Sequence, residues 1–100
     1  VMVKYFIIPE LNNLRVPWYG RPDLKTWRQV KQFIYQRDLG ICQYCLAQVH
    51  YEQSHCHHTM PLGEGGTNHP TNLKTACVGC HKVRHPFMRN ARDKLRETLR

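Results

Sequence analysis

Two pairs of cysteines, Cys42-Gln43-Tyr44-Cys45 and Cys77-Val78-Gly79-Cys80, constrain this chain more than any other feature of its sequence. Each C-x-x-C turn presents two sulfurs from one tight bend, and two such turns closing on one ion build a tetrahedral four-thiolate zinc site with no open position. The competing arrangements are a redox dithiol, which needs only one pair and a βαβ setting, and two local disulfides in an oxidising compartment. Cys56 makes the cysteine count five, which disfavours a pure disulfide framework. The expectation is structural zinc on Cys42, Cys45, Cys77 and Cys80, with reduced thiols and an intracellular location. A chain of 100 residues buries only a modest share of its surface, and a metal is one staple that chains of this size use.

Lys and Arg number 15 against 7 Asp and Glu, a formal net charge of +8. Such an excess promotes association with an anion, most simply a nucleic acid backbone, although charge alone also suits a membrane surface or an acidic protein. The longest apolar run, Tyr5-Phe6-Ile7-Ile8, is too short for a signal-peptide core or a membrane span, so a soluble chain with no membrane partner is expected. The length fits one domain and not two.

Residues 1–22 read as an N-terminal extension with a strand at most. Asp23 can cap a helix, and Leu24, Trp27, Val30 and Ile34 recur at helical spacing, which predicts a helix over 24–38 that stops before Gly40. Its other face carries Lys25, Arg28, Lys31 and Arg37, a stripe that is either solvated or laid against phosphate. Ala47–Glu52 and Ser54–Met60 look like strands, and Gly63-Glu64-Gly65-Gly66-Thr67-Asn68-His69-Pro70 is a loop. Thr71–Ala76 suits another strand, and Cys80–Arg84 the start of a helix that stops near Pro86. A basic C-terminal helix is expected over 87–100, with Phe87, Met88, Ala91, Leu95 and Leu99 on one face. From Lys82 onward there are seven Lys and Arg against two Asp and Glu.

The ordered set Cys42-Gln43-Tyr44-Cys45, His57-His58-Thr59-Met60-Pro61-Leu62-Gly63-Glu64-Gly65-Gly66, Thr71-Asn72-Leu73 and Cys77-Val78-Gly79-Cys80-His81 strongly resembles the zinc-containing branch of the HNH endonuclease family. The likeness runs from about Trp27, through Arg37-Asp38-Leu39-Gly40, to about Arg84. It implies a small zinc-stabilised α+β domain with a ββα-metal finger, treble-clef-like and with flanking helices, over residues 23–86.

By that resemblance His58 is the general base acting on water, a task suited to a neutral imidazole. Asn72 corresponds to the residue that orients the base and pins the loop. His57 and His81 correspond to the ligands of a catalytic divalent cation, with His85, four residues beyond His81, as a possible third. Adjacent residues of a strand face opposite ways, so His57 and His58 have different jobs. The family often has Asp where His57 stands and Lys where Arg84 stands. Imidazole in place of a carboxylate softens the site, so Mn2+, Co2+, Ni2+ or Zn2+ should be tolerated better than Mg2+. Lys82, Arg84, Arg89 and Arg92 are candidate phosphate contacts.

The resemblance implies hydrolysis of DNA phosphodiesters to 5′-phosphate and 3′-hydroxyl ends. No base-reading element is evident, so sequence specificity should be low. The rival reading is a zinc-stapled DNA-binding module without catalysis, against which the set His57, His58, Asn72 and His81 argues. Either a monomer or a dimer fits, as does a bacterial or phage-infected cytoplasm; an association with bacteriophage DNA-packaging proteins is the weakest of these expectations. Cys56, His50, His55 and His69 read as bystanders, and Trp18 and Trp27 as core residues.

Overall fold

The computed structural model describes residues 4–84, with Arg84 given by its backbone alone. The expected helix over 87–100, with Arg89 and Arg92, and the candidate ligand His85 lie outside the described residues. Two antiparallel hairpins and two helices make up the rest. They follow in the order β1 (Tyr5–Ile8), β2 (Leu14–Pro17), α1 (Leu24–Arg37), β3 (His55–His58), β4 (Leu73–Ala76) and α2 (Val78–Arg84).

The N-terminal segment holds a full hairpin where the sequence suggested a strand at most. Phe6 pairs with Val16 and Ile8 with Leu14. The turn between them is a short 3-10 segment, Pro9–Leu11, followed by Asn12 and Asn13, both at φ 57°. Asparagine tolerates that left-handed conformation better than most residues. The hairpin turns Ile8 and Val16 onto Val30 and Ile34 of α1 and Leu73 of β4, and these five residues are the buried core. Each such side chain contributes roughly 1.5–3 kcal/mol by leaving water.

Helix α1 runs as its apolar spacing predicts. Asp23 occupies the cap position with extended backbone, but its side chain makes no capping bond. The helix ends where Leu39 and Gly40 turn left-handed, at φ 58° and 69°. Gly40 is also needed for space, because a Cβ there would lie 2.8 Å from the Tyr35 hydroxyl, which itself donates to the Val49 carbonyl. The charged stripe divides. Lys25 and Arg28 are exposed, whereas Lys31 lies 4.5 Å over the Tyr51 ring and Arg37 is spent on backbone.

Ala47–Glu52 is not a strand. One bridge pairs Ile41 with Gln48, and Tyr51–Gln53 is a 3-10 turn. The backbone here is committed to the first cysteine turn, with Cys42 N–H donating to Ala47 O and Val49 N–H to Gly40 O. The partner of β3 is instead β4, across the loop 59–72, in the register His55↔Ala76, Cys56↔Thr75, His57↔Lys74 and His58↔Leu73. Helix α2 begins at Val78, two residues earlier than the sequence suggested, and so carries Cys80 and His81.

Arg37 and Asp38 lock the end of α1 onto β4. The guanidinium donates to the carbonyls of Pro70 (2.9 Å) and Leu73 (2.7 Å) and pairs with Asp38. Asp38 accepts the Thr75 N–H at 2.8 Å. The Asp38 side chain is 7% exposed, so removing its carboxylate strands the Thr75 donor and takes the ion pair from Arg37. In urea unfolding of the metal-loaded protein, Asp38→Ala should cost about 2 kcal/mol while Arg28→Ala leaves the midpoint in place. An unshifted midpoint for Asp38→Ala contradicts this clamp.

Candidate metal and histidine site

The end of α1 delivers the first cysteine turn and the end of β4 the second. Gln43 N–H donates to Thr75 O at 2.9 Å, pinning one turn to the strand that leads into the other. The Sγ atoms of Cys42, Cys45, Cys77 and Cys80 all lie within 4.8 Å of one another, with Cys45 and Cys77 at 3.9 Å. Four sulfurs about 2.3 Å from a tetrahedral zinc stand roughly 3.8 Å apart, so the set fits such an ion. All five cysteines are free thiols in this structure.

The protonation of the cluster argues for a cation as well. Burial opposes charge on Cys42, but N–H groups of Cys45, Cys77 and Tyr44 aim at it and bring its thiol down to about 6. Cys80 is pushed the other way, to about 12, by its contact with Cys77 and by the anionic sulfur nearby. One thiolate is stabilised, and the next is opposed by it until a positive ion takes the place of the protons. Cys56 stands apart: burial raises its thiol to about 12, so it stays protonated on the inner face of β3.

The four residues of β3 serve its two faces in alternation. His55 and His57 face α2. His57 is 2% exposed, with its ring nearly perpendicular to those of Tyr44 and His81, each at 5.4 Å. Two imidazoles sharing an ion at about 2.1 Å from nitrogen have ring centres roughly 5 Å apart, so His57 and His81 fit as a ligand pair. His55, read from the sequence as a bystander, stacks on His81 at 4.5 Å; burial and the nearby Lys31 lower its pKa.

Cys56 and His58 face the other way. The His58 ring stacks on Trp27 at 5.3 Å and 7°, and its Nε2 lies 2.8 Å from Asn68 Oδ1. Burial lowers the His58 pKa, partly offset by that hydrogen bond, so the ring is neutral at pH 7. His58 and His81 nonetheless meet at one cleft of about 740 Å³, walled by Cys56, Trp27, Leu24 and Leu62. Trp27 therefore backs His58 as well as the core.

Asn72 does not touch His58. Its Oδ1 accepts from Met60 N–H at 2.8 Å, and its Nδ2 donates to Met60 O (3.1 Å) and Thr67 O (2.8 Å). It pins the two ends of the loop, and the hydrogen bond to His58 comes from Asn68 instead. Gly66 belongs to the same closure, because a Cβ there would fall 1.9 Å from Met60 O. Nothing in the sequence distinguished Asn68 from an ordinary loop asparagine; its complete burial does. Lys82 is exposed on α2.

Residues 42–87 match the HNH endonuclease family. This segment carries the signature of the HNH family. The strands β3 and β4 with α2 are its ββα unit, and α1 is a flanking helix. The chain is also 30% identical over 90 residues to the type IV methyl-directed restriction enzyme EcoKMcrA of Escherichia coli (strain K12), covering 84% of this chain. It spans 30% of that relative's length. No solved structure matches the chain. Among the described residues no helix is long and apolar enough to cross a membrane.

The thiol cluster of the HNH segment generates a direct expectation. Elemental analysis of the purified chain should find about one thiolate-bound ion, and chelation should collapse the near-UV signal of the folded core. A protein that keeps that signal after complete metal removal contradicts the role given to the cluster.

Proposed function

We propose that this chain is a divalent-metal-dependent endonuclease that hydrolyses DNA phosphodiester bonds to 5′-phosphate and 3′-hydroxyl ends, with low sequence specificity. The observation that carries the reading is the neutral His58 at a cleft it shares with His81, with His57 packed on His81 from the opposite face of the strand.

In this reading His58 accepts a proton from a water molecule in the cleft as that water attacks phosphorus in line with the departing 3′ oxygen. The Trp27 stack and the Asn68 bond keep the ring from turning away. His57 and His81 hold the catalytic cation, with His85 as a further candidate. When bound, such an ion supplies Lewis-acid stabilisation of the charge that develops on the phosphate and leaving oxygens. The two imidazoles favour Mn2+, Co2+, Ni2+ or Zn2+ over Mg2+. Cys42, Cys45, Cys77 and Cys80 hold a structural zinc that fixes α2, and hence His81, against β3.

Lys82 and Arg84, with Arg89 and Arg92 further along, are assigned to phosphate. The net charge of +8 makes affinity strongly salt-dependent. Recognition of methylated DNA belongs to the relative's name, and the chain spans only 30% of it; the proposal here is strand cleavage by the HNH segment, with selection of sites left to other parts or partners.

Plasmid nicking with manganese present tests this reading. His58→Ala should lose roughly 100- to 10,000-fold in rate while still binding DNA. Equal cleavage by parent and variant removes His58 from the mechanism, and metal-independent binding with no cleavage by either points to a DNA-binding module.

A further inference from the structure

We propose that Asn68 is the positioning residue of His58: it holds the histidine in the Nε2–H tautomer, leaves Nδ1 as the proton acceptor, and ties the base to the Pro17–Gly20 segment. This rests on the reading of His58 as general base.

The orientation of the Asn68 amide is fixed by its surroundings. One end lies 2.9 Å from Pro17 O and 2.8 Å from Gly20 O. Both are carbonyl acceptors, so that end is the NH2 group. The other end is then Oδ1, which only accepts, and it stands 2.8 Å from His58 Nε2. Nε2 must carry the hydrogen. In a neutral imidazole the lone pair then sits on Nδ1, and that atom takes the proton from water.

Asn68 is itself immobile. It is 0% exposed, and its own N–H donates to Trp18 O at 2.9 Å. Three hydrogen bonds thus join it to the stretch between β2 and α1. The Trp27 face sets the plane of the His58 ring, and Asn68 sets its rotation within that plane. When Nδ1 gains a proton, the Nε2–H···Oδ1 bond becomes charge-assisted and strengthens. The contact therefore stabilises the imidazolium more than the resting ring, which is the requirement for acceleration. Asn72 has no amide group to spare for this task, since Met60 and Thr67 occupy both ends.

The test uses the zinc-loaded full chain, labelled with 15N. Long-range proton–nitrogen correlations should show His58 solely as the Nε2–H form, with its Hε2 protected from exchange by burial. Asn68→Ala should lose that protection and lower kcat by roughly 10- to 100-fold with KM within about twofold. A wild-type Nδ1–H form, or an Hε2 in fast exchange, overturns the proposal even where Asn68→Ala does not fold. So does a folded Asn68→Ala with parental kcat. A parent that shows the protected Nε2–H form yet cleaves no DNA with any divalent ion would overturn the endonuclease reading and leave the positioning contact standing.

Discussion

The convergence of four sulfurs is the contact on which the rest of the structure depends. The core of Ile8, Val16, Val30, Ile34 and Leu73 joins the first hairpin, α1 and β4, but it does not reach α2. That helix exposes Val78 and Val83. It is tied down by Cys80 in its first turn, drawn with Cys77 toward Cys42 and Cys45, and by His81 against His55 and His57. His81 follows Cys80 directly, so the position of one histidine against β3 is set by the geometry of the thiol cluster.

The second constraint is the two-residue period of a strand. His57 and His58 are adjacent and must point apart, yet a metal and a general base have to act on one phosphate. The fold resolves this at the free edge of β3, where the cleft admits His58 from one face and His81 packs against His57 from the other. Each histidine is buttressed by a flat ring: Trp27 under His58 and His55 against His81. Four consecutive residues of one short strand thereby carry a support, a core contact, a candidate ligand and a candidate base.

Much of this was legible in the sequence. The spacing of the cysteines indicated their cluster, the 3.6-residue period gave α1, and the ordered motif gave the HNH likeness, with His57 and His58 on opposite faces of a strand. What was not legible depends on distant backbone. Ala47–Glu52 has strand-like residues, but its N–H and C=O groups are consumed by the cysteine turn. Arg37 read as part of a stripe either solvated or laid against phosphate, and instead donates to the carbonyls of Pro70 and Leu73 at the start of β4. Asn68 and Asn72 both sit in a loop where asparagine is ordinary, and only burial and partners show that the first bonds His58 and the second closes the loop. The N-terminal hairpin had too little alternation to read as two strands, because Tyr5 and Ile7 leave apolar side chains on its outer face.

Two different cation sites, one thiolate and one imidazole, are proposed to flank His58. Anomalous scattering from crystals grown with manganese, collected at the zinc and manganese absorption edges, tests this arrangement most directly. The account predicts a zinc peak equidistant from the four Sγ atoms and a separate manganese peak bounded by His57 and His81, on the cleft shared with His58. Manganese bound elsewhere, or a thiolate ion with nothing between His57 and His81, would contradict it.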